Sequence, residues 1–534
     1  MRQIYMSKMA LSLMKHSVIA IILIALGWVQ GSVVQAQTVG ASSTRLPTLG
    51  DGGEMSSTAE RRLGDRIARE IYRDPDYLDD PVLVDYVQGI WQPLLAAARA
   101  RGDLSPELQA QFAWEIMLGR DRSVNAFALP GGYFGVHLGL LAVVGSADEL
   151  ASVLGHELSH VTQRHISRLM TRQGQQAPWL MGALILGALA ASKSADAANA
   201  LIVGGQAASA QGQLNFSRDM EREADRVGYG IMSDAGFDAR GFVGMFDKLQ
   251  QAARLNDNGA YPYLRSHPLT TERIADMQSR QSMAGSVMPV PTPTLEHAMM
   301  AGRARVLSNP GIDVLRGLLR EADSWPAAAL PSNGARQAGV LYAGVLAAGR
   351  LRDDMAANTH LDRLTALVAS DPIAARLTRW LRAELSLSAG DWRSAQTQLD
   401  TRSADDRDAA QMRRPELLLR GQLALQAGQE AVWLALTERL QLWVAEHPRD
   451  AQAWQLLASA YSAQRQPLRA LRAEAEARVA QLDPAAALDR LKAAQDLLRQ
   501  GSNVNANADH IEASIIDTRR RQLESTLREQ ALER

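Results

Sequence analysis

One stretch in the first third of the chain carries apolar residues at helical spacing. They are Leu150, Val153, Leu154, Leu158 and Val161. Residues three and four apart share one face of an α-helix, so this stripe predicts a helix with one buried side. An incidental surface helix would not need such a stripe. We therefore interpret residues 150–162 as a core helix.

Two shorter patterns before this helix predict β-strands. Residues 112–118 alternate large side chains with small or polar ones, and residues 124–129 continue in an extended pattern. The turn signal Pro130–Gly132 then leads into residues 133–136. The sequence therefore predicts a small antiparallel sheet directly before the core helix, and helical patterning begins near Ala59.

The second half of the chain is helical and repetitive. Alanine-glycine pairs follow apolar helices at 348–349, 389–390 and 427–428. The clearest unit, which has the pattern of the first helix of a tetratricopeptide repeat, contains Trp454, Leu457, Ala458 and Tyr461. Such helix pairs stack into a superhelix whose concave side binds other chains. A plain helical bundle is the alternative.

Residues 1–36 have the pattern of a secretory signal. Three basic residues precede an apolar core over Ser17–Val29, and Val34–Ala36 ends in the small residue typical of a cleavage site. The apolar core is too short to span a membrane comfortably. We predict a cleaved signal peptide and a periplasmic mature protein in a Gram-negative host, with an uncleaved anchor as the alternative.

Composition narrows the chemistry. The 534 residues include 57 Lys and Arg against 58 Asp and Glu, and there is no cysteine. This length predicts more than one domain, and the balanced charge argues against nucleic-acid binding. The absence of cysteine excludes a lipoprotein anchor and disulfides. It also leaves His, Asp and Glu as metal ligands, which favours a catalytic metal site over a cysteine-based structural one.

The core helix contains an HExxH motif formed by His156, Glu157 and His160. Positions four apart lie on one helical face, so the two histidines can hold one zinc ion, and this is the arrangement of a metalloprotease. Zinc with three protein ligands keeps a position open for water and lowers the pKa of that water. Glu157 is the candidate general base.

A third ligand is offered further along the chain. Glu221 and Asp225 are four residues apart and share a helical face, whereas Glu223 points nearly the opposite way. We predict Glu221 as the ligand and Asp225 as the acceptor that orients a ligand histidine. Without the upstream motif, an exposed charged helix would be the better interpretation.

These two motifs together resemble the zinc peptidases that include the CAAX prenyl proteases and the bacterial HtpX-like membrane proteases. The segments 125–132, 156–165 and 266–274 are similar to the soluble periplasmic branch, the β-barrel assembly-enhancing proteases. The resemblance covers residues 45–300 closely. It implies an α+β fold, in which a mainly helical zincin-type metallopeptidase domain with a small antiparallel sheet is followed by an all-α repeat superhelix.

The resemblance also implies roles for two further segments. His267 faces the zinc and can occupy its fourth position, which would hold the enzyme off; hydrogen bonding to the reaction's oxyanion is the alternative. The residues by themselves fit a capping or surface histidine equally well. Arg273 can assist either role. The strand formed by Asn125, Ala126, Phe127, Ala128 and Leu129 would bind an extended substrate along its free edge. An ordinary hairpin fits the same residues. His137 is interpreted as structural because it lacks helical pairing with the motif.

Between the zinc motifs lies an apolar stretch over 179–210, interrupted by Lys193 and Asp196. Each apolar piece is too short to span a membrane, so we interpret the stretch as a helical hairpin covering the cleft. A peripheral membrane contact is the alternative.

These patterns together predict six segments. They are a signal peptide at 1–36, a flexible leader at 37–58, the metallopeptidase domain at 59–281, a proline-rich linker at 282–298, the tetratricopeptide-like domain at 299–500 and a charged C-terminal helix at 501–534.

The predicted function is a periplasmic zinc endopeptidase with one Zn²⁺ per chain. The resemblance implies that it is also a chaperone, that unfolded or stalled outer-membrane proteins are its substrates, and that the β-barrel assembly machinery binds the repeat domain. Two alternatives stay open: a scaffold or chaperone with a structural or latent zinc site, and a membrane-associated protease. The intact HExxH motif and Glu221 disfavour the first, and the absence of full-length spans disfavours the second.

Overall fold

The computed structural model describes residues 55–172, 217–254, 260–283, 293–309, 311–326, 333–401, 412–499 and 506–532. Several predicted segments lie outside the described residues. These are the signal peptide, nearly all of the leader, the hairpin at 179–210, most of the proline-rich linker and the start of the C-terminal segment. Within the described ranges, no helix is both long enough and apolar enough to cross a membrane.

The first part of the chain alternates helices with short strands. Its elements are α1 (Ser57–Arg73), β1 (Tyr77–Leu78), α2 (Pro81–Arg101), α3 (Pro106–Gln111), β2 (Glu115–Gly119), β3 (Ala126–Leu129), β4 (Tyr133–His137), α4 (Leu138–Val143), α5 (Ala147–Thr162) and α6 (His165–Arg172). Local chemistry sets the starts of several helices. The Ser56 hydroxyl accepts from the Ala59 amide at the start of α1, and Asp80 caps α2 in the same way. Helix α1 thus begins two residues before the predicted Ala59.

The rest of the described chain is helical. Its elements are α7 (Arg218–Asp234), α8 (Arg240–Arg254), α9 (Tyr263–Ser266), α10 (Thr271–Met283), α11 (Leu295–Ser308), α12 (Ile312–Ser324), α13 (Gly334–Leu351), α14 (Asp354–Val368), α15 (Pro372–Ser388), α16 (Trp392–Asp400), α17 (Arg414–Ala427), α18 (Glu430–Glu446), α19 (Ala451–Ala463), α20 (Pro467–Ala480), α21 (Pro484–Arg499) and α22 (Ala506–Leu532). Proline at the first turn of α15, α17 and α20 costs little, because the first amides of a helix have no partner within the helix.

The sheet corrects one prediction. Its strand order is β1-β2-β4-β3, and β2 runs parallel to β4, so the sheet is mixed and not antiparallel. The turn at Pro130–Gly132 pairs β3 with β4 as predicted. The hairpin adds β4, not β3, to β2, so the chain crosses over before it returns. Periodicity identifies strands but carries no information on which strand pairs with which.

Two glycines set the distance between α5 and α7. A Cβ atom on Gly228 would lie 2.9 Å from both the Gly155 carbonyl carbon and the His156 nitrogen. The two helix backbones therefore touch at this crossing, one residue before the first histidine of the HExxH motif. A Cβ atom on Gly155 would lie 3.2 Å from the Gly228 carbonyl oxygen, so the approach leaves least room for a side chain at position 228.

The alanine-glycine pairs predicted to follow helices in the repetitive half do so in part. Gly390 and Gly428 end α15 and α17 in the left-handed conformation, with φ of 80° and 63°. Gly349, in contrast, lies inside α13, and the left-handed residue at that end is Arg352. In the clearest unit, Leu457 and Tyr461 are buried on α19, which packs against α20. Consecutive helices pack on one another here, and their assignment as tetratricopeptide repeats stays a prediction.

One apolar core crosses the predicted boundary at 282–298. Buried residues from Val82 to Leu423 form a single cluster that includes the sheet, the HExxH helix and helices α11 to α17. Helix α11 packs against α4 on one side and α13 on the other. A separate cluster lies around α18 and α19, and another around α20 to α22. The first helices of the repetitive half are thus built into the core of the preceding domain.

Buried ion pairs join the two halves beside α2. Arg303 on α11 donates to both Asp80 oxygens at 2.8 and 2.6 Å and to Glu384 at 2.8 Å. Arg414 on α17 lies between Asp79 and Asp450, each 2.8 Å away. We call the group Asp80, Arg303 and Glu384 the charged joint.

Candidate metal centre and active site

Helix α5 carries the HExxH motif into the interior. The Ser146 hydroxyl accepts from the Glu149 amide and caps the helix at its start. The apolar stripe packs into the core, and His156, Glu157 and His160 are all at most 2% exposed. Burying three such polar groups is costly unless they have partners, so this helix must face other polar side chains.

Helix α7 supplies those partners from the opposite side. Ser217 caps it by accepting from the Met220 amide. Glu221 and Asp225 are both 1% exposed and lie on the face toward α5, as their spacing of four predicts. The side chain of Glu223 is 28% exposed and turns away from them, toward α6.

The loop after α9 places His267 beside α5 and α7. His267 follows the single turn α9, its amide donates to the Tyr263 carbonyl, and its ring stacks on Tyr263 at 4.6 Å between centroids. Pro268 follows it and precludes a continuing helix there. His267 is 2% exposed, so the loop buries the imidazole completely within the site.

Four side chains converge on one point. One ligand atom from each of His156, His160, Glu221 and His267 lies within 4.8 Å of the others. The two Nε2 atoms of His156 and His160 are 3.0 Å apart, and each is 3.5 Å from a Glu221 oxygen. His267 Nδ1 lies 3.1 Å from Glu221 and 3.3 Å from His156. Lone pairs converging this closely suit a bound cation.

Asp225 and Arg273 form hydrogen bonds and ion pairs with members of this group. Asp225 Oδ1 lies 2.9 Å from Nδ1 of His156, so the other ring nitrogen points to the centre. Arg273 donates hydrogen bonds to both Asp225 oxygens at 2.6 and 2.8 Å, and its Nη1 lies 2.8 Å from a Glu221 oxygen. It also donates to the Pro268 carbonyl at 2.8 Å, which ties the His267 loop to α7.

The electrostatics of these groups follow from burial and charge. Burial lowers the pKa of His156, but its bonds with Asp225 and Glu221 outweigh this and raise the pKa to about 9. Burial and the neighbouring His156 lower the pKa of His160 well below its usual range. A metal ion takes neutral imidazole, so a metal must displace the His156 proton, and metal binding should strengthen as the pH rises.

The residues present fit a metal. Among the residues that the structure describes, neither buried Glu157 oxygen has a hydrogen-bond partner, a costly arrangement that a nearby cation or water offsets. Burial raises the pKa of Glu157, which brings this carboxylate toward the range of a general base. The donor set contains only imidazole and carboxylate, which is the set found in catalytic metal sites.

Strand β3 lies beside this centre at an edge of the sheet. Among the described strands it pairs with β4 alone, so its other edge is not used by the sheet. It packs against α5, the helix of the HExxH motif. Ala126 to Leu129 form the strand and Asn125 precedes it, accepting from the His137 amide at 3.0 Å. The structure thus places the predicted substrate segment against the helix that carries the HExxH motif.

Two polar residues near the centre were not selected from the sequence. His165 is fully buried against His160, and Glu223, interpreted only as turned away from the site, bonds to His165 at 3.0 Å. His165 lies five residues after His160, a spacing that shares no face of one helix, so helical periodicity gave no signal. His137, interpreted as structural, lies outside the converging group and 2.9 Å from the Ser123 hydroxyl.

Comparison with known proteins identifies the class. Residues 94–281 match peptidase family M48. This stretch contains α5, α7 and the His267 loop, and with them all four converging ligand residues. The chain therefore carries a peptidase family M48 domain and is a metalloprotease.

Individual relatives match beyond this domain. The chain is 28% identical to the β-barrel assembly-enhancing protease of Escherichia coli strain K12 over 499 residues, which is 90% of this chain and 94% of that protein. It is 35% identical to the putative β-barrel assembly-enhancing protease of Vibrio cholerae over 272 residues, which is 50% of this chain and only 53% of that protein. The mitochondrial metalloendopeptidase OMA1 of Arabidopsis thaliana is 32% identical over 176 residues, 33% of each chain.

Proposed function

We propose that the protein is a zinc endopeptidase, and also a chaperone, that acts in the periplasm on outer-membrane proteins which are unfolded or stalled during assembly. The names of the Escherichia coli and Vibrio cholerae relatives support this assignment. The observation that carries it is the buried group of imidazoles and carboxylates on α5, α7 and the His267 loop.

In this proposal His156, His160 and Glu221 hold one zinc ion per chain. Imidazole and carboxylate ligands suit zinc, and the chain has no cysteine for a structural zinc site. A zinc ion bound here supplies Lewis acidity to the scissile carbonyl and to the attacking water. Asp225 fixes the His156 ring by accepting from Nδ1, and Arg273 holds both Asp225 and Glu221 in place.

Glu157 acts as the general base. Its carboxylate accepts a proton from the attacking water and returns it to the amine that leaves when the peptide bond breaks. Strand β3 positions the substrate through main-chain hydrogen bonds at its open edge, so the substrate must be extended locally. This mode of binding makes few demands on side chains, which suits a protease of unfolded proteins.

His267 closes the resting site as a fourth ligand. Its Nε2 lies 3.4 Å from Glu157 and its Nδ1 lies within 3.3 Å of His156 and Glu221, so the ring fills the space that a substrate carbonyl needs. The Tyr263 stack and the Arg273 bond to the Pro268 carbonyl hold the loop there. In the open enzyme the same imidazole could donate to the oxyanion.

The remaining assignments follow from the sequence. The signal peptide at 1–36 directs the chain to the periplasm, and the repeats at 299–500 bind the β-barrel assembly machinery. The linker predicted at 282–298 separates these functions along the chain, although the core is continuous across it. A zinc-bearing scaffold without activity is the alternative that the following experiment tests.

The test compares wild type, Glu157→Gln, His267→Ala and Glu149→Gln, measuring bound zinc by elemental analysis and cleavage of an unfolded protein. We expect about one zinc per chain in each. His267→Ala should cleave faster than wild type, and Glu157→Gln should lose about 10²- to 10⁴-fold in rate. Glu149→Gln is the matched control, an equal change on the same helix. If zinc is bound but neither wild type nor His267→Ala cleaves, the scaffold replaces the enzyme.

A further inference from the structure

The two histidines of α5 are supported in different ways. The Nδ1 atom of His156 meets a carboxylate, Asp225, at 2.9 Å. The Nδ1 atom of His160 meets another imidazole, His165 Nδ1, also at 2.9 Å. A ligand histidine needs an acceptor on its outer nitrogen to fix its tautomer and orientation. For His160, His165 occupies this outer position.

The backbone is shaped to bring His165 there. Helix α5 ends at Thr162, and α6 begins at His165 after a left-handed residue, Arg164, with φ of 54°. Such a conformation is unfavourable for a residue other than glycine and persists only where its surroundings enforce it. Arg164 is held by Glu60 at 3.0 Å. The sharp turn folds the His165 ring back beneath His160, with ring centroids 4.9 Å apart.

The contact continues through His165 to α7. His165 Nε2 lies 3.0 Å from the Glu223 carboxylate, and Arg168 donates to the same oxygen at 3.0 Å. If His160 gives Nε2 to the metal, its Nδ1 carries the proton and donates to His165 Nδ1. His165 then carries its own proton on Nε2 and donates to Glu223. In each of these two contacts, one N–H donor faces one acceptor.

We infer that His165 and Glu223 are positioning residues that form a hydrogen-bonded relay to His160 and fix this histidine as a metal ligand. The inference rests on the zinc site proposed above. The relay also joins the first turn of α6 to the second turn of α7, so the same bonds that orient His160 hold the third-ligand helix against the HExxH helix.

The relay makes the zinc site depend on a residue near the surface. The Glu223 side chain is 28% exposed, whereas Asp225, which serves His156, is 1% exposed. A change at position 223 should therefore disturb the core little but should reach the metal through His165. This difference makes Glu223 the better position for a test than the fully buried His165.

The experiment measures zinc affinity of the full chain by competition with a chelator, and unfolding of each variant by heat. Glu223→Ala should weaken zinc binding by about 10- to 100-fold, as expected for loss of a partner that orients a ligand. Glu223→Gln should lose less, because the amide oxygen still accepts from His165. Asp219→Asn is the matched control, since it neutralises an exposed acid on the same helix, and it should bind zinc like wild type.

A second measurement reads the proton positions directly. Nitrogen NMR of the zinc-loaded protein should show His160 protonated at Nδ1 and His165 at Nε2. A His165 protonated at Nδ1, or a folded Glu223→Ala variant with zinc affinity within twofold of wild type, would overturn the relay alone. Wild type that binds no zinc would overturn the proposed function, and the relay with it.

Discussion

The metal centre and the charged joint are both buried clusters of charge, but they are completed differently. In the joint, Arg303 lies between Asp80 and Glu384, so a cation of the chain itself balances the carboxylates. In the centre, imidazole and carboxylate lone pairs converge within 4.8 Å, and neither buried Glu157 oxygen has a hydrogen-bond partner in the described part of the chain. Arg273 pairs with Asp225 and with Glu221, so the chain balances part of the negative charge in the centre, while the other converging groups are imidazoles.

This difference separates a structural cluster from a binding site. A buried charge must be balanced by an opposite charge, which can come from the chain itself or from a bound ligand. Where the chain supplies it, removing one partner should cost stability and leave zinc binding unchanged. Where a bound ligand supplies the opposite charge, removing a side chain that supports the site should lower zinc affinity more than it lowers the free energy of unfolding.

The largest expected effect is at the joint. Arg303→Met removes the guanidinium and leaves the buried Asp80 carboxylate without its main partner, so the free energy of unfolding should fall by about 3–5 kcal/mol. Chemical denaturation measures this change, and zinc content should stay that of wild type. Arg305 lies on the same helix as Arg303 and forms a partly exposed pair with Glu321 of α12. Arg305→Met should cost less than about 1 kcal/mol. Equal losses in the two variants would contradict the comparison.

The pH dependence of the free energy of unfolding in wild type and Arg303→Met gives a second test of the charged joint. Burial raises the pKa of Asp80, but Arg303 and the Leu83 amide outweigh this and lower it below its ordinary value. A lowered carboxyl pKa contributes stability that is present above the unfolded value of about 3.9 and is lost as the pH falls through the folded value. The gap between wild type and Arg303→Met should therefore narrow below about pH 4. A constant gap from pH 7 to pH 3 would assign the loss to packing.

At the centre, Asp225→Asn should act on the metal. The change removes the negative charge that orients His156, so zinc affinity should fall by about 10- to 100-fold in chelator competition. Because Arg273 also loses its bidentate partner, the melting temperature should be recorded alongside. A variant that unfolds more easily but binds zinc as tightly as wild type would place Asp225 with the structural cluster.

The smallest effects test the helix crossing that supports the centre. Gly228→Ala would press a methyl group against the α5 backbone at 2.9 Å, so stability should fall by about 1–3 kcal/mol and zinc should bind more weakly. Gly89→Ala on α2 is the matched control, because no atom of the described residues lies within 4 Å of the added carbon. That change should raise stability by about 0.5–1 kcal/mol. Destabilisation by both variants would mean that helix spacing is not the cause.

Much of the centre was accessible from the sequence, because its residues sit at regular spacing on helices. The pairs His156 with His160 and Glu221 with Asp225 are four apart, and the structure buries each pair on one face. His267 came from the resemblance, since an isolated His-Pro pair carries no periodicity. The catalytic and ligand roles of these residues stay predictions that the experiments above address.

The rest depended on long-range geometry. The mixed sheet required knowledge of which strand lies beside β2, because the apolar pattern of a strand does not show whether its neighbour runs parallel or antiparallel. His165 reaches His160 only through the left-handed turn at Arg164, a conformation that the residue type argues against. The joint, finally, connects residues more than 200 positions apart.

The continuous core has a consequence for any shortened form of the chain. Helix α4, which directly precedes the HExxH helix, is covered by α11, and the same cluster extends to Leu423. The residues of the candidate metal centre, up to His267, thus precede in the chain the helices that complete the core around α4. A chain that ended at residue 281, the end of the predicted metallopeptidase domain, would leave the surface of α4 that contacts α11 without its cover.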